Sequence, residues 1–274
     1  MMIMNKWLYE LMALSCLVVL NACEPDTPID VPLPAEGFRY DDIDSSVYPE
    51  GPRVASRIYY PYNIKNLSNI GATTVTSGKG GRMESVRWLG ETVASEGMVA
   101  CIVDAQDNKS TAGYEVAQRT ALGILQEENA NPNSPLYNKL GRYGLIGYSL
   151  GGAAAINVGS SLGIQVKIIV GLAPYYGNPT ANLNAATMIL AGTNDRVSKP
   201  SITRNTFEQL PTEIPRFYAE VVGKNHFFWA RYRDQSMVDD LIVAWLKYYL
   251  ESDKSYLSTI ENPGLQYSNY KYHP

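Results

Sequence analysis

Along the chain, short continuous apolar runs alternate with stretches whose apolar positions recur every three or four residues. The runs predict strands at Val54–Tyr60, Ala72–Ser77, Met98–Asp104, Tyr143–Gly147, Val166–Leu172, Thr187–Ala191 and Phe217–Val222. The three/four spacing predicts helices at Glu84–Ser95, Tyr114–Glu127, Leu150–Ser161 and Ile202–Leu210. A last helix is the clearest, because Val238, Leu241, Ile242, Trp245, Leu246 and Tyr249 share one face. Strands that are apolar throughout, each followed by a helix, indicate a mostly parallel sheet covered on both faces, an α/β domain. No internal repeat is visible, and the Pro and Gly positions mark loops rather than a second domain.

The pattern breaks at the N-terminus. Residues Met1 to Glu10 carry the single lysine Lys6, an apolar run spans Leu11 to Leu20, and Asn21-Ala22-Cys23 follows. A cationic start, an apolar core and a small residue before the break read as an export signal over residues 1–22. The run is too short to span a bilayer comfortably. Leu20-Asn21-Ala22-Cys23 resembles a bacterial lipobox, which makes Cys23 a lipidation site; ordinary cleavage with Cys23 incidental is the alternative. Residues 23–46, rich in Pro and Asp, are read as a tether, with the catalytic domain over 47–274. The expected location is outside the cytoplasm, either anchored in the bacterial envelope through Cys23 or secreted.

Composition narrows the chemistry. With 274 residues, 45% hydrophobic and 18% charged, the chain can bury one large core. The balance of 23 basic against 27 acidic residues leaves −4 with no charge block, so no nucleic-acid partner is expected. Two histidines and three cysteines leave no material for a zinc or iron–sulfur site, and no metal or cofactor is expected. With Cys16 in the signal and Cys23 reserved for lipid, Cys101 is left without a disulfide partner.

The strand Tyr143–Gly147 runs into Gly147-Tyr148-Ser149-Leu150-Gly151-Gly152 and then an Ala-rich helix. This is a G-x-S-x-G string in the strand–turn–helix context that lifts a serine hydroxyl above a sheet. Ser149 is therefore the candidate nucleophile. A hydroxyl needs a base, and His226 follows the strand Phe217–Val222, whereas His273 is penultimate in a Tyr-rich polar tail read as mobile. Asp195, after Thr187–Ala191, is the candidate orienting carboxylate, and a turn-capping role is its competing reading. Ser149, Asp195 and His226 occur in the chain order of α/β-hydrolases. Asp104 and Asp107 also follow a strand but precede the serine. One oxyanion donor is expected at the Leu150 backbone N–H, the other from the glycine-rich loop Ser77-Gly78-Lys79-Gly80-Gly81.

These segments resemble the bacterial cutinase-like polyester hydrolases, a group that includes polyethylene-terephthalate hydrolases, from about Tyr59 to Leu250. The resemblance is carried by Val75-Thr76-Ser77-Gly78, Glu84-Ser85-Val86-Arg87-Trp88-Leu89-Gly90, Ala94-Ser95-Glu96-Gly97, Arg119, Leu172-Ala173-Pro174-Tyr175 and the three candidate catalytic residues. It implies an α/β-hydrolase fold and acyl-enzyme ester hydrolysis, with Lys79 at the position of the second oxyanion donor and Tyr175 lining the substrate cleft. The segment from Ser149 to Asp195 has room only for helix, strand and the Tyr175–Leu183 loop, so no lid domain is expected. The chain departs from the family at Lys79, where an aromatic is usual, and at Tyr148, Leu150 and Tyr175, which replace His, Met and Trp. The usual C-terminal disulfide is absent. Tyr176, Phe227, Phe228 and Trp229 either line the cleft or belong to the core. Lys79 either favours substrates with a nearby carboxylate or is a solvated loop lysine. The expected substrates are short-chain or polymeric esters, with polyethylene terephthalate among the candidates. The competing readings are a lipase or phospholipid acylhydrolase of the same fold and a non-catalytic surface lipoprotein.

Overall fold

The computed structural model describes residues 38–44, 54–230 and 236–274. The export signal expected over residues 1–22 and the lipidation site expected at Cys23 lie outside the described residues. Nine strands form one sheet: β1 (Phe38–Asp44), β2 (Ala55–Pro61), β3 (Ile70–Thr76), β4 (Val99–Val103), β5 (Leu140–Tyr148), β6 (Ile168–Leu172), β7 (Ala186–Gly192), β8 (Arg216–Val221) and β9 (Tyr267–His273). Their spatial order is β1-β2-β4-β3-β5-β6-β7-β8-β9. Pairings from β4 through β8 are parallel, while β1, β2 and β9 join antiparallel at the two edges. The helices are α1 (Arg87–Ser95), α2 (Thr111–Ala130), α3 (Leu150–Leu162), α4 (Pro200–Glu208), α5 (Ser236–Trp245) and α6 (Leu257–Glu261). This is the mostly parallel, helix-flanked sheet expected.

Alternate side chains of one strand feed opposite cores, because a strand has a period of two. In β4, Ala100 and Ile102 join the cluster built with α1 and α5, whereas Val99, Cys101 and Val103 join the cluster built with α2. In β6, Ile168, Val170 and Leu172 pack on the α1/α5 side and Ile169 packs with α3 and α4. Trp245, Trp229 and Phe217 are among the largest fully buried side chains. Burial on both faces is what lets the parallel strands read as unbroken apolar runs.

Both edges correct the sequence reading. The stretch taken as a tether contains β1, paired residue by residue from Phe38↔Pro61 to Asp44↔Ala55, so the folded domain includes Phe38. Its charges are used across the edge: Arg57 takes Asp42 in a two-pronged contact at 2.6 and 3.3 Å, and the Tyr60 hydroxyl donates to Asp41 at 2.8 Å. The C-terminal tail is β9 rather than a mobile segment. Asn269 donates to the buried Glu220 of β8, and the hydroxyls of Tyr249 and Tyr272 meet at 2.7 Å. The helix expected from the Val238–Tyr249 stripe is also shorter than that stripe, since α5 gives way to a π-helical turn at Leu246–Leu250 and α6 follows.

Candidate active site

The parallel strands deliver three loops to one end of the sheet. The first is the turn between β5 and α3. Ser149 sits there at φ 55° and ψ −117°, a conformation that costs a non-glycine residue about 1–3 kcal/mol. The surroundings hold it: Ser149 N–H donates to Leu172 O at 2.9 Å, and its carbonyl accepts from Ala153 N–H at 3.0 Å and Tyr175 N–H at 3.1 Å. The flanking glycines answer close approach. A Cβ on Gly147 would lie 2.1 Å from Gly151 O, and one on Gly151 would lie 2.3 Å from Ser77 O.

The second loop follows β7 and carries Asp195, the third follows β8 and carries His226 in a 3-10 turn (His226–Ala230). The two are stitched together. Asn194 N–H donates to Lys224 O at 2.9 Å, Thr193 N–H to Val221 O at 3.1 Å, and Gly223 N–H to Thr193 Oγ1 at 2.8 Å. Asp195 Oδ1 accepts from Val197 N–H at 2.8 Å, which leaves Oδ2 free for the histidine. From α1, Trp88 Nε1 donates to Trp229 O at 3.0 Å and pins the far side of the His226 turn.

Ser149, Asp195 and His226, separated by 46 and 31 residues in sequence, converge as expected from the motif. His226 Nδ1 lies 2.7 Å from Asp195 Oδ2, and His226 Nε2 lies 2.9 Å from Ser149 Oγ. A carboxylate only accepts, so Nδ1 carries the proton; Nε2 of the neutral ring is then the acceptor for the serine hydroxyl. All three side chains are buried. Tyr148 packs its ring on the imidazole with centroids 5.1 Å apart, and burial, reinforced by the Asp195 charge, pushes its phenol pKa well up.

A family model described as PET hydrolase-like matches residues 38–270. The chain belongs to this family. Its members are carboxylic-ester hydrolases of the α/β-hydrolase fold, and so is this chain. Cutinase 2 of Thermobifida cellulosilytica is 27% identical over 202 residues, covering 73% of this chain and 74% of that protein. Cutinase cut1 of Thermobifida fusca is also 27% identical over 202 residues, and there the chain spans 61% of the relative's length. Lipase 1 of Moraxella sp. (strain TA144) is 25% identical over 196 residues, 72% of this chain and 60% of the relative. As in the family reading, β6 and β7 are joined by residues 173–185 without a helix.

The remaining expected positions fall around the hydroxyl. Leu150 is the first residue of α3, and Lys79 is exposed in the loop after β3. Gly78 lies so close that a Cβ there would be 2.7 Å from Ser149 Cβ. Of the loop amides, Gly80 N–H donates to Asn108 O and Gly81 N–H to Gly78 O, both at 2.8 Å. Tyr175 is half-buried, with its ring edge-on to Tyr176 at 4.6 Å. Tyr176 and Phe227 are 61% and 54% exposed, and Phe227 meets the His226 ring at 5.8 Å. Trp229 is core and not cleft lining. Phe228 is half-buried against that core, under Lys224 Nζ at 4.8 Å.

The two aspartates weighed against Asp195 have other work. Asp104 accepts from Met83 N–H at 2.5 Å and faces Arg82 Nη1 at 3.4 Å, which ties down the segment after the glycine loop. Asp107 accepts from Lys109 N–H at 3.0 Å and from the Ser110 hydroxyl, just before α2. The anchoring roles of Trp88 and Asp104 leave no sequence signature, because each acts on a backbone group.

Proposed function

We propose that the chain hydrolyses carboxylic esters through an acyl-enzyme on Ser149. The observation that carries this reading is the unbroken contact Asp195–His226–Ser149 at 2.7 and 2.9 Å. His226 accepts the Ser149 proton as the oxygen attacks the ester carbonyl, then donates it to the leaving alcohol. Water, deprotonated in turn by His226, releases the acid. Asp195 stays ionised and holds the imidazole in the tautomer that keeps Nε2 available. The oxyanion is assigned to the backbone N–H groups of Leu150 and Lys79. Two features support this: Leu150 opens α3, whose free N–H groups and positive dipole end face the site, and Gly78 packs on Ser149.

The substrates proposed are short-chain and polymeric esters, with polyethylene terephthalate included. Support comes from the exposed aromatics Tyr176 and Phe227 at the rim and from a β6–β7 connection that carries no helix to cover the triad. Tyr175, whose N–H already binds the Ser149 carbonyl, is the proposed inner wall. A lipase activity is the second reading, favoured by the likeness to the Moraxella lipase. Export and lipid attachment at Cys23 complete the proposal, resting on the Leu20–Cys23 string.

The test is a hydrolysis profile on short p-nitrophenyl esters, long-chain triglycerides and a polyester film, with Ser149→Ala as blank. Turnover of short esters and film supports the proposal. Preference for long acyl chains moves the reading to lipase, and no activity above blank leaves a binding lipoprotein. Intact mass of the native exported protein shows whether Cys23 carries lipid.

A further inference from the structure

We propose that one buried face of α2, formed by Tyr114 and Gln118, orients the oxyanion loop, and that Tyr114 is a positioning residue for ester hydrolysis. This inference rests on the acyl-enzyme reading above. The two side chains are four residues apart, so they project from the same side of the helix, and both are fully buried. Gln118 Nε2 donates to Thr76 Oγ1 at 2.8 Å and to Ile146 O at 2.9 Å, while its Oε1 accepts from the Thr74 hydroxyl. One amide thereby joins β3, which leads into the oxyanion loop, to β5 three residues before Ser149.

Tyr114 acts one turn nearer the site. Its hydroxyl donates to Gly78 O, which also accepts from Gly81 N–H. The carbonyl of Gly78 and the N–H of Lys79 belong to the same planar trans peptide and point in opposite directions. A bond that holds the carbonyl toward α2 therefore fixes the Lys79 N–H away from α2, as an oxyanion donor requires. Gly78, the residue before that amide, is the one packed on Ser149. Glycine on both sides of Lys79 makes this peptide easy to rotate, and the phenol restrains it. An ordinary core position on α2 would be filled by an aliphatic side chain at no cost in buried polar groups.

The experiment is steady-state hydrolysis of p-nitrophenyl butyrate by the full chain carrying Tyr114→Phe, with affinity for an arylboronic acid, which forms a tetrahedral adduct on the serine. The expected result is a kcat at least about tenfold lower, KM within about twofold, and boronate affinity weakened by the same factor as kcat. Tyr249→Phe, which loses a hydroxyl bond to Tyr272 away from the site, should lower the melting temperature and leave kcat unchanged. A Tyr114→Phe protein with kcat within about twofold of the parent, or with lower kcat but unchanged boronate affinity, overturns the inference. Should that variant fail to fold, Thr76→Val removes a single bond to Gln118 and must also lower kcat and boronate affinity together; unchanged values there overturn it equally. Ser149→Ala separates the two levels: residual turnover in that variant defeats the acyl-enzyme reading itself, whereas an inert Ser149→Ala beside a normal Tyr114→Phe defeats only the role of α2.

Discussion

Gly78→Ala is a steric probe of the proposed oxyanion loop. The added methyl would lie 2.7 Å from Ser149 Cβ and 2.9 and 3.0 Å from two ring carbons of Tyr148. Carbon–carbon contacts are comfortable at about 3.5–4.0 Å, so the methyl needs a displacement of about 1 Å. Neither neighbour yields easily. Ser149 is held at φ 55° by three backbone hydrogen bonds, and the buried Tyr148 ring packs against His226. The loop has to move, carrying the Lys79 N–H with it. A misplacement of about 1 Å costs on the order of 100-fold, or about 2.7 kcal/mol, within the range for losing an oxyanion donor. Gly80→Ala is the control in the same loop. Gly80 has φ 72° but open space around its Cα, so alanine there costs about 1 kcal/mol of stability and leaves kcat within about threefold. The assay is kcat and KM on p-nitrophenyl butyrate beside a thermal melt of each variant. A folded Gly78→Ala protein with kcat within about threefold of the parent would refute the reasoning.

Three further outcomes are expected. Burial works against the charge of Glu220, yet Asn269, Arg204 and Tyr218 donate to it and hold its carboxyl below the usual range, so its contribution is present above the unfolded value of 4.5 and disappears as pH falls through the lower folded value. Glu220→Gln should therefore destabilise by about 1.5–3 kcal/mol at neutral pH, with the deficit shrinking on acidification in urea titrations, and a deficit independent of pH would contradict this. Trp88→Phe strands the Trp229 carbonyl behind His226 and should cost about 1–3 kcal/mol; an unchanged melting curve would argue against that anchor. Lys79→Ala keeps the backbone N–H, so kcat on neutral esters should stay within about threefold, and a loss of about 100-fold would mean that the ammonium itself takes part.

How far the molecule could be read from its residues depended on what each segment is asked to bury. The central strands are covered on both faces, so Val99–Val103 and Ile168–Leu172 announce themselves as apolar runs. The edge strands are not. In β1, Arg39, Tyr40, Asp41 and Asp42 meet solvent and one neighbour, and in β9 only Tyr267 is buried, so both look like polar linkers. The convergence of Ser149, Asp195 and His226 was legible because the proposed chemistry needs a particular residue type at each strand end, and the glycines around Ser149 are dictated by close approach. Tyr114 and Gln118 were not, since a buried polar side chain on a helix has the same spacing as an apolar one. Their role emerges only when α2 is laid across β3 and β5.

The most direct test of the account is to treat the protein with a fluorophosphonate, which traps an activated serine covalently, and to map the adduct by peptide mass. The account predicts one adduct, on Ser149, with loss of ester hydrolysis in proportion to labelling, and no adduct in Ser149→Ala. Labelling at another serine, or full activity after Ser149 is completely modified, would contradict it.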